Sequence, residues 1–189
     1  MSRFKALVGG FAALLTVGVL WFAVASRGAA PGDQAACDIR SMSLSFGPKW
    51  SEKTQQETVT VRLTGRARRA CVVAGYPAVS LYDKRGQKLP FHYSHRGDQM
   101  VTSHRPTRLT VHRGDSVFFV LNQQTCDQGP KARATDVRVG LPGSTATRLA
   151  LIPTYFPAIY YCRGLQPASF RFVTVSPVVR RLADASSAS

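Results

Sequence analysis

The sequence is poor in acidic residues and contains no recognised catalytic motif. It has 10 aspartates and glutamates against 25 lysines and arginines, a formal net charge of +15, and its only glutamates are Glu52 and Glu57. It lacks a G-x-S-x-G elbow, an H-E-x-x-H zinc motif and a glycine-rich phosphate loop. A Ser-His-Asp arrangement assembled from distant segments stays open. The chain is therefore predicted not to be an enzyme.

Long apolar runs are also absent, with one exception at the N-terminus. Arg3 and Lys5 precede an uncharged run from Ala6 to Ala25, which is typical of an export signal and predicts one apolar helix. Its 20 residues would span about 30 Å, the thickness of a hydrocarbon core, while Ala23-Val24-Ala25 fits a cleavage site. Residues 1–25 are predicted to be a signal peptide or an uncleaved signal anchor, and lipidation of Cys37 is a third option.

Export determines how the few cysteines are interpreted. The chain has four, Cys37, Cys71, Cys126 and Cys162, and no two have the C-x-x-C spacing of a zinc site. An even number outside the cytoplasm predicts two disulfides. Three pairings are possible, and we favour Cys37–Cys71 with Cys126–Cys162, because each closes a loop of about 35 residues within its own half. No metal site and no cofactor are predicted.

Helical periodicity is absent after residue 37, and apolar residues instead alternate with polar ones. This period of two predicts about eight short strands, within a range of 7–9, and an all-β antiparallel sandwich. We expect a tether at 26–35, a β-sandwich domain at 36–179 and a disordered tail at 180–189. The alternating apolar residues include Met42, Leu44, Phe46, Val59, Val61, Leu63, Val117, Phe119, Leu121, Val137, Val139, Leu149 and Leu151.

One segment carries a family resemblance. Residues 71–77 read Cys-Val-Val-Ala-Gly-Tyr-Pro, followed by Val79, Leu81, Asp83 and Gly86. This resembles the C-x-x-x-G-Y-P-x-V-x-L-x-D-x-x-G signature of the DUF4232 family, and the likeness extends over residues 36–179. The resemblance implies an immunoglobulin-like β-sandwich in exported or lipid-anchored proteins of actinobacteria, and it implies no reaction.

Arginines are concentrated in two places. Arg66, Arg68 and Arg69 precede Cys71, where the family tends to have a small polar turn, and Arg105 and Arg108 precede the strand that contains Leu109 and Val111. Residues two apart in a strand share a face, so Arg66 and Arg68 are predicted to project together as a fork for phosphate or carboxylate. A solvated surface without a ligand is the alternative.

The four histidines, His92, His95, His104 and His112, lie within one window of the sequence. A copper or zinc site there is conceivable, but His92 and His95 are three apart and would not share one face of a strand. We therefore favour solvated loop histidines.

These observations predict an extracytoplasmic, non-catalytic module of the cell envelope, either secreted or anchored in the membrane by an uncleaved N-terminal segment. Its predicted partners are anionic lipid head groups or wall polymers, or another envelope protein. Nucleic acid is not predicted, because the compartment does not fit and no matching motif is present. The alternative is a metal-handling (Cu or Zn) or hydrolytic envelope protein that uses the His92–His112 region.

Overall fold

The computed structural model describes residues 34–47, 55–126, 129–162 and 171–187. This part of the chain is all-β, with two short 3-10 helices at Ile39–Ser41 and Leu182–Ala185. The strands are β1 (Met42–Phe46), β2 (Gln56–Gly65), β3 (Cys71–Val73), β4 (Ala78–Tyr82), β5 (His92–Ser94), β6 (Leu109–Val111), β7 (Ser116–Gln124), β8 (Pro130–Arg133), β9 (Asp136–Gly140), β10 (Thr147–Leu151), β11 (Tyr160–Cys162) and β12 (Phe172–Val175).

The predicted signal or anchor at 1–25 lies outside the described residues, as does the tether up to residue 33. Within the described ranges, every helix is too short or too polar to cross a bilayer.

The strands form several sheets. The largest has five strands in the order β1-β2-β7-β12-β5, and a second has three in the order β10-β9-β4. Two further pairs are β11-β8 and β3-β6. The pairing is antiparallel except between β12 and β5, which run parallel, so the predicted all-antiparallel arrangement is wrong for this one pair.

The core follows the predicted alternation in the long strands. Val59, Val61 and Leu63 of β2 are fully buried, and their neighbours on β7 are equally buried. These side chains share one apolar cluster with Leu81, Val137 and Val139 of the three-stranded sheet. Burial of each such side chain contributes about 1.5–3 kcal/mol, so this cluster is the main source of stability.

Strand β10 is formed as predicted, but its alternating leucines do not face the core. Leu149 and Leu151 are 54% and 68% exposed, while Ala150 packs against the core. Arg148 donates a hydrogen bond to the carbonyl oxygen of Met42. The register with β9 explains this, because Ala150 pairs with buried Val137 whereas Leu149 pairs with exposed Arg138.

Both predicted disulfides are confirmed. Cys37 bonds to Cys71 and Cys126 bonds to Cys162. Two disulfides are compatible with an extracytoplasmic location.

The C-terminal segment differs from the predicted disordered tail. Leu182–Ala185 forms a 3-10 helix, and Ala185 is fully buried. The backbone N–H of Thr102 donates to the carbonyl oxygen of Ala185 at 2.8 Å, and the backbone N–H of Ser187 donates to the carbonyl oxygen of Met100 at 3.1 Å. The segment covers apolar side chains on the outer face of the five-stranded sheet, and this burial orders it. The cluster contains Met100, Val101, Phe118, Val120, Val179, Leu182 and Ala185.

Candidate functional site

The predicted arginines at 66–69 lie in a loop and not in a strand. Strand β2 ends at Gly65, and residues 66–70, which we call the arginine loop, are non-strand up to the start of β3 at Cys71. The predicted strand fork of Arg66 and Arg68 is therefore wrong in its geometry. Both side chains are exposed, and so is Arg69.

Backbone hydrogen bonds hold the base of this loop against the β6–β7 turn. Gly65 donates to the Asp115 carbonyl and accepts from the Gly114 amide, both at 2.9 Å. A Cβ on Gly65 would lie 2.4 Å from the carbonyl oxygen of His112, so only glycine permits this approach. The contact places Arg113 of the turn beside the arginine loop.

The two carboxylates of this region already have partners. Asp38 pairs with Arg40 at 2.6 Å, and Asp115 pairs with Arg180 at 3.0 Å. Hydrogen bonds from Arg40 lower the pKa of Asp38. The backbone N–H of His112, and then Arg180, lower the pKa of Asp115. Both acids thus stay ionised and engaged at neutral pH.

The remaining arginines form what we call the arginine surface. It consists of Arg66, Arg68, Arg69 and Arg113, which are all exposed. In the part of the chain that the structure describes, none of them forms an ion pair. Guanidinium groups present planar, paired donors that match phosphate oxygens, so the surface has the charge and the donors to bind phosphate.

Arg105 and Arg108 do not join this surface. The β3–β6 register pairs Cys71 with Val111 and Val73 with Leu109. The arginine loop precedes Cys71, whereas Arg105 and Arg108 precede Leu109, so the two groups lie at opposite ends of the pair. Both arginines are exposed, and they form a second basic group that is separate from the arginine surface.

The segment of residues 34–36 lies beside the arginine loop. Ala36 bridges Val72 in parallel, with the Val72 amide donating to Ala35 at 2.9 Å. Thr110 also donates to the Gln34 side chain at 3.1 Å. Continuing this parallel pairing two residues back aligns Gln34 with Ala70, so Gln34 lies next to the arginine loop.

The four histidines are not gathered into one site. His95 stacks on Tyr76 with ring centroids 4.2 Å apart, and His92 lies against Phe172 at 5.3 Å. His104 lies in the connection before β6, and His112 lies in the β6–β7 turn. Over the described ranges, no three His, Cys, Asp or Glu side chains are placed to hold a metal ion.

A cleft of about 880 Å³, which the sequence did not predict, lies on the outer face of the five-stranded sheet. Its floor comes from adjacent strands, because Thr174 pairs with Asn122 and Gln56 pairs with Gln124. We call it the amide cleft, and the residues that define it are Gln56, Ser94, Asp98, Asn122, Gln124, Phe172 and Thr174. One feature of the sequence could have indicated this cleft. Along β7, the outward-facing residues change from apolar Phe118 and Val120 to polar Asn122 and Gln124.

Buried Asn122 organises the cleft floor. Its side-chain NH2 donates to Gln56 at 2.7 Å and to Asp98 at 2.9 Å, and its oxygen accepts from Thr58 at 2.8 Å. Asp98 also accepts from the backbone N–H groups of Met100 and Val101. A satisfied buried network of this kind holds its members in one arrangement.

Comparison with known proteins gives one assignment. The family described as "Domain of unknown function (DUF4232)" matches residues 30–178 of the chain. No curated protein and no solved structure matches this chain.

Proposed function

The chain belongs to the DUF4232 family, and from that premise we propose that it is a non-catalytic extracytoplasmic module that binds phosphate-bearing components of the cell envelope through its arginine surface. We propose further that its sheets pack as an immunoglobulin-like sandwich. The shared core of the five-stranded and three-stranded sheets supports this architecture, and the two disulfides support the compartment.

One observation carries the functional proposal. The segment of residues 34–36, which follows the predicted signal segment and tether in the sequence, lies beside an exposed arginine loop whose neighbouring acids are already paired. If residues 1–25 remain as a membrane anchor, eight residues separate it from Gln34. Fully extended, they would reach about 28 Å. A domain tethered at this point would hold its arginine surface close to lipid head groups.

The arginine loop is expected to contribute a measurable part of the attraction to an anionic membrane. Each arginine near an anionic lipid surface contributes about 1 kcal/mol, and the attraction decays within a Debye length of about 10 Å at 0.1 M salt. Arg66, Arg68 and Arg69 together would therefore contribute about 3 kcal/mol, or about 150-fold in affinity.

A pair of charge-matched variants tests this proposal. The chain without residues 1–25 would be mixed with phosphatidylglycerol vesicles and sedimented at increasing NaCl. Replacing Arg66, Arg68 and Arg69 by Ser should weaken binding about 150-fold at low salt. The control variant replaces Lys84, Arg85 and Lys88, three exposed cations on the turn after β4, by Ser. It should weaken vesicle binding far less.

Both variants remove three positive charges, so net charge alone cannot separate them. Equal weakening by the two variants would contradict a localised surface. Binding of the unaltered protein to uncharged phosphatidylcholine vesicles, undiminished by salt, would contradict the electrostatic basis.

A further inference from the structure

We propose that the amide cleft binds a neutral carbohydrate. The cleft is independent of the arginine surface, because Gln56 begins β2 and Gly65 ends it. A strand of that length separates the two regions by about 30 Å.

The polar groups of the cleft match those of a sugar. A sugar hydroxyl both donates and accepts hydrogen bonds, and so do the amides of Gln56 and Gln124 and the hydroxyls of Ser94 and Thr174. Asn122 donates to the Gln56 side-chain oxygen at 2.7 Å. This bond sets the orientation of that amide and leaves its NH2 group as the donor for a ligand.

An aromatic ring borders the same cleft. Phe172 is 38% exposed, and its ring lies against His92 at 5.3 Å with an interplanar angle of 37°. The C–H groups on one face of a pyranose form an apolar patch that can pack flat on an aromatic ring. A ring beside amides and hydroxyls provides both contacts that such a ligand needs.

The charge of the cleft favours a neutral ligand over an anion. Arg96 and Asp98 lie on its rim with opposite charges. Burial lowers the pKa of His95, which keeps that imidazole neutral at pH 7. The cleft volume of about 880 Å³ also falls within the range of small-molecule sites.

The C-terminal segment covers one part of the outer face of the five-stranded sheet, and the amide cleft occupies another part. The C-terminal segment covers Phe118 and Val120, the apolar outward residues of β7. The next outward residues, Asn122 and Gln124, line the open cleft. The outward residues of β7 thus change from apolar side chains to amides where the C-terminal segment gives way to the cleft, and these amides are carried by paired strands.

An NMR titration tests the proposal. The full-length chain in a sugar-free zwitterionic detergent would be titrated with maltotriose, cellotriose, mannotriose and xylotriose, following the side-chain NH2 signals of Gln56 and Gln124. At least one trisaccharide should shift these signals saturably, and added NaCl should leave its affinity unchanged.

Matched variants identify the site. Phe172→Ser and Gln124→Ala should each weaken binding about two- to tenfold, the loss expected for one stacking or hydrogen-bonding partner. Leu149→Ser, at an exposed leucine of the other sheet, should bind as the parent does. Gln124→Ala keeps the test valid if Phe172→Ser fails to fold.

The proposal is overturned if none of the four sugars shifts the cleft signals, or if both cleft variants bind as tightly as the parent. The variant in which Ser replaces Arg66, Arg68 and Arg69 should bind the sugar as tightly as the parent does. This outcome separates the carbohydrate proposal from the lipid proposal.

Discussion

Tyr93→Phe removes a single hydroxyl that satisfies an edge-strand amide. Strand β4 pairs with β9 and lies at the edge of its described sheet. The backbone groups of Leu81 face away from β9: its carbonyl accepts from the Leu89 amide at 2.9 Å, and its amide donates to the Tyr93 hydroxyl at 3.0 Å. Leu81 is fully buried, so water has little access to that amide.

The expected cost follows from this geometry. Leaving a buried N–H without a partner costs about 1–3 kcal/mol. For a chain of this size, each kcal/mol lowers the melting temperature by about 2–4 °C. Thermal unfolding followed by circular dichroism at pH 7 should therefore show a decrease of about 2–12 °C. Tyr76→Phe keeps its ring on His95 and should cost less than about 0.5 kcal/mol.

Alkaline pH gives a second readout of the same hydroxyl. Burial raises the pKa of Tyr93 to about 12, above the ordinary value of 10.0. The protonated phenol is therefore favoured in the folded state, so its contribution is complete below pH 10 and is lost as pH rises through about 12. The parent should lose more stability over this interval than Tyr93→Phe. Equal melting at pH 7, or parallel curves above pH 10, would refute the reasoning.

Three further predictions concern the arginine loop, a histidine and a disulfide. Gly65→Ala should cost several kcal/mol in urea unfolding and weaken vesicle binding, because its Cβ would overlap the His112 carbonyl; unchanged stability would contradict the close approach. Burial lowers the pKa of His95 below 6.5, so stability is complete above that pH and declines as pH falls through the folded-state pKa; His95→Gln should show a smaller decline between pH 7 and pH 5. Replacing Cys37 and Cys71 by Ser opens a loop with a separation of 34 residues and should lower the free energy of unfolding by about 4 kcal/mol in guanidinium titrations, whereas a change below 1 kcal/mol would show that the bridge contributes little.

Local pattern predicted the strands whose two faces differ in environment. Val59, Val61 and Leu63 are buried as expected, because their face of β2 packs on the main core, although Thr58 and Thr60 on the opposite face are buried too. The cysteine pairing also follows from the sequence, since bridges within each half close short loops. Leu149 and Leu151 lie in a strand as predicted, but alternation alone does not show that its register with β9 places them on the outward face with Arg138.

The two candidate sites were harder to predict from the sequence than the strands were. The alternation that defines β2 does not reveal that Gly65 meets the β6–β7 turn, so the arginine loop was taken for a continuing strand. The amide cleft combines Gln56, Ser94 and Thr174, which are far apart in sequence and become neighbours only when their strands pair. Function as an anionic-surface module stays a prediction, to be decided by the vesicle variants.

The ordered C-terminal segment restricts where the protein can be labelled for such measurements. Ser186 and Ser187 border a smaller cavity of about 340 Å³ that shares Arg96 and Asp98 with the rim of the amide cleft. A fluorescent protein or affinity tag fused after this segment would lie near the amide cleft and could block the carbohydrate that we propose binds there. Lys84 and Arg85, on the exposed turn after β4, are the better points for attaching a dye or immobilising the molecule on a sensor, because Gly86 beside them has a φ of +74° that disfavours a side chain.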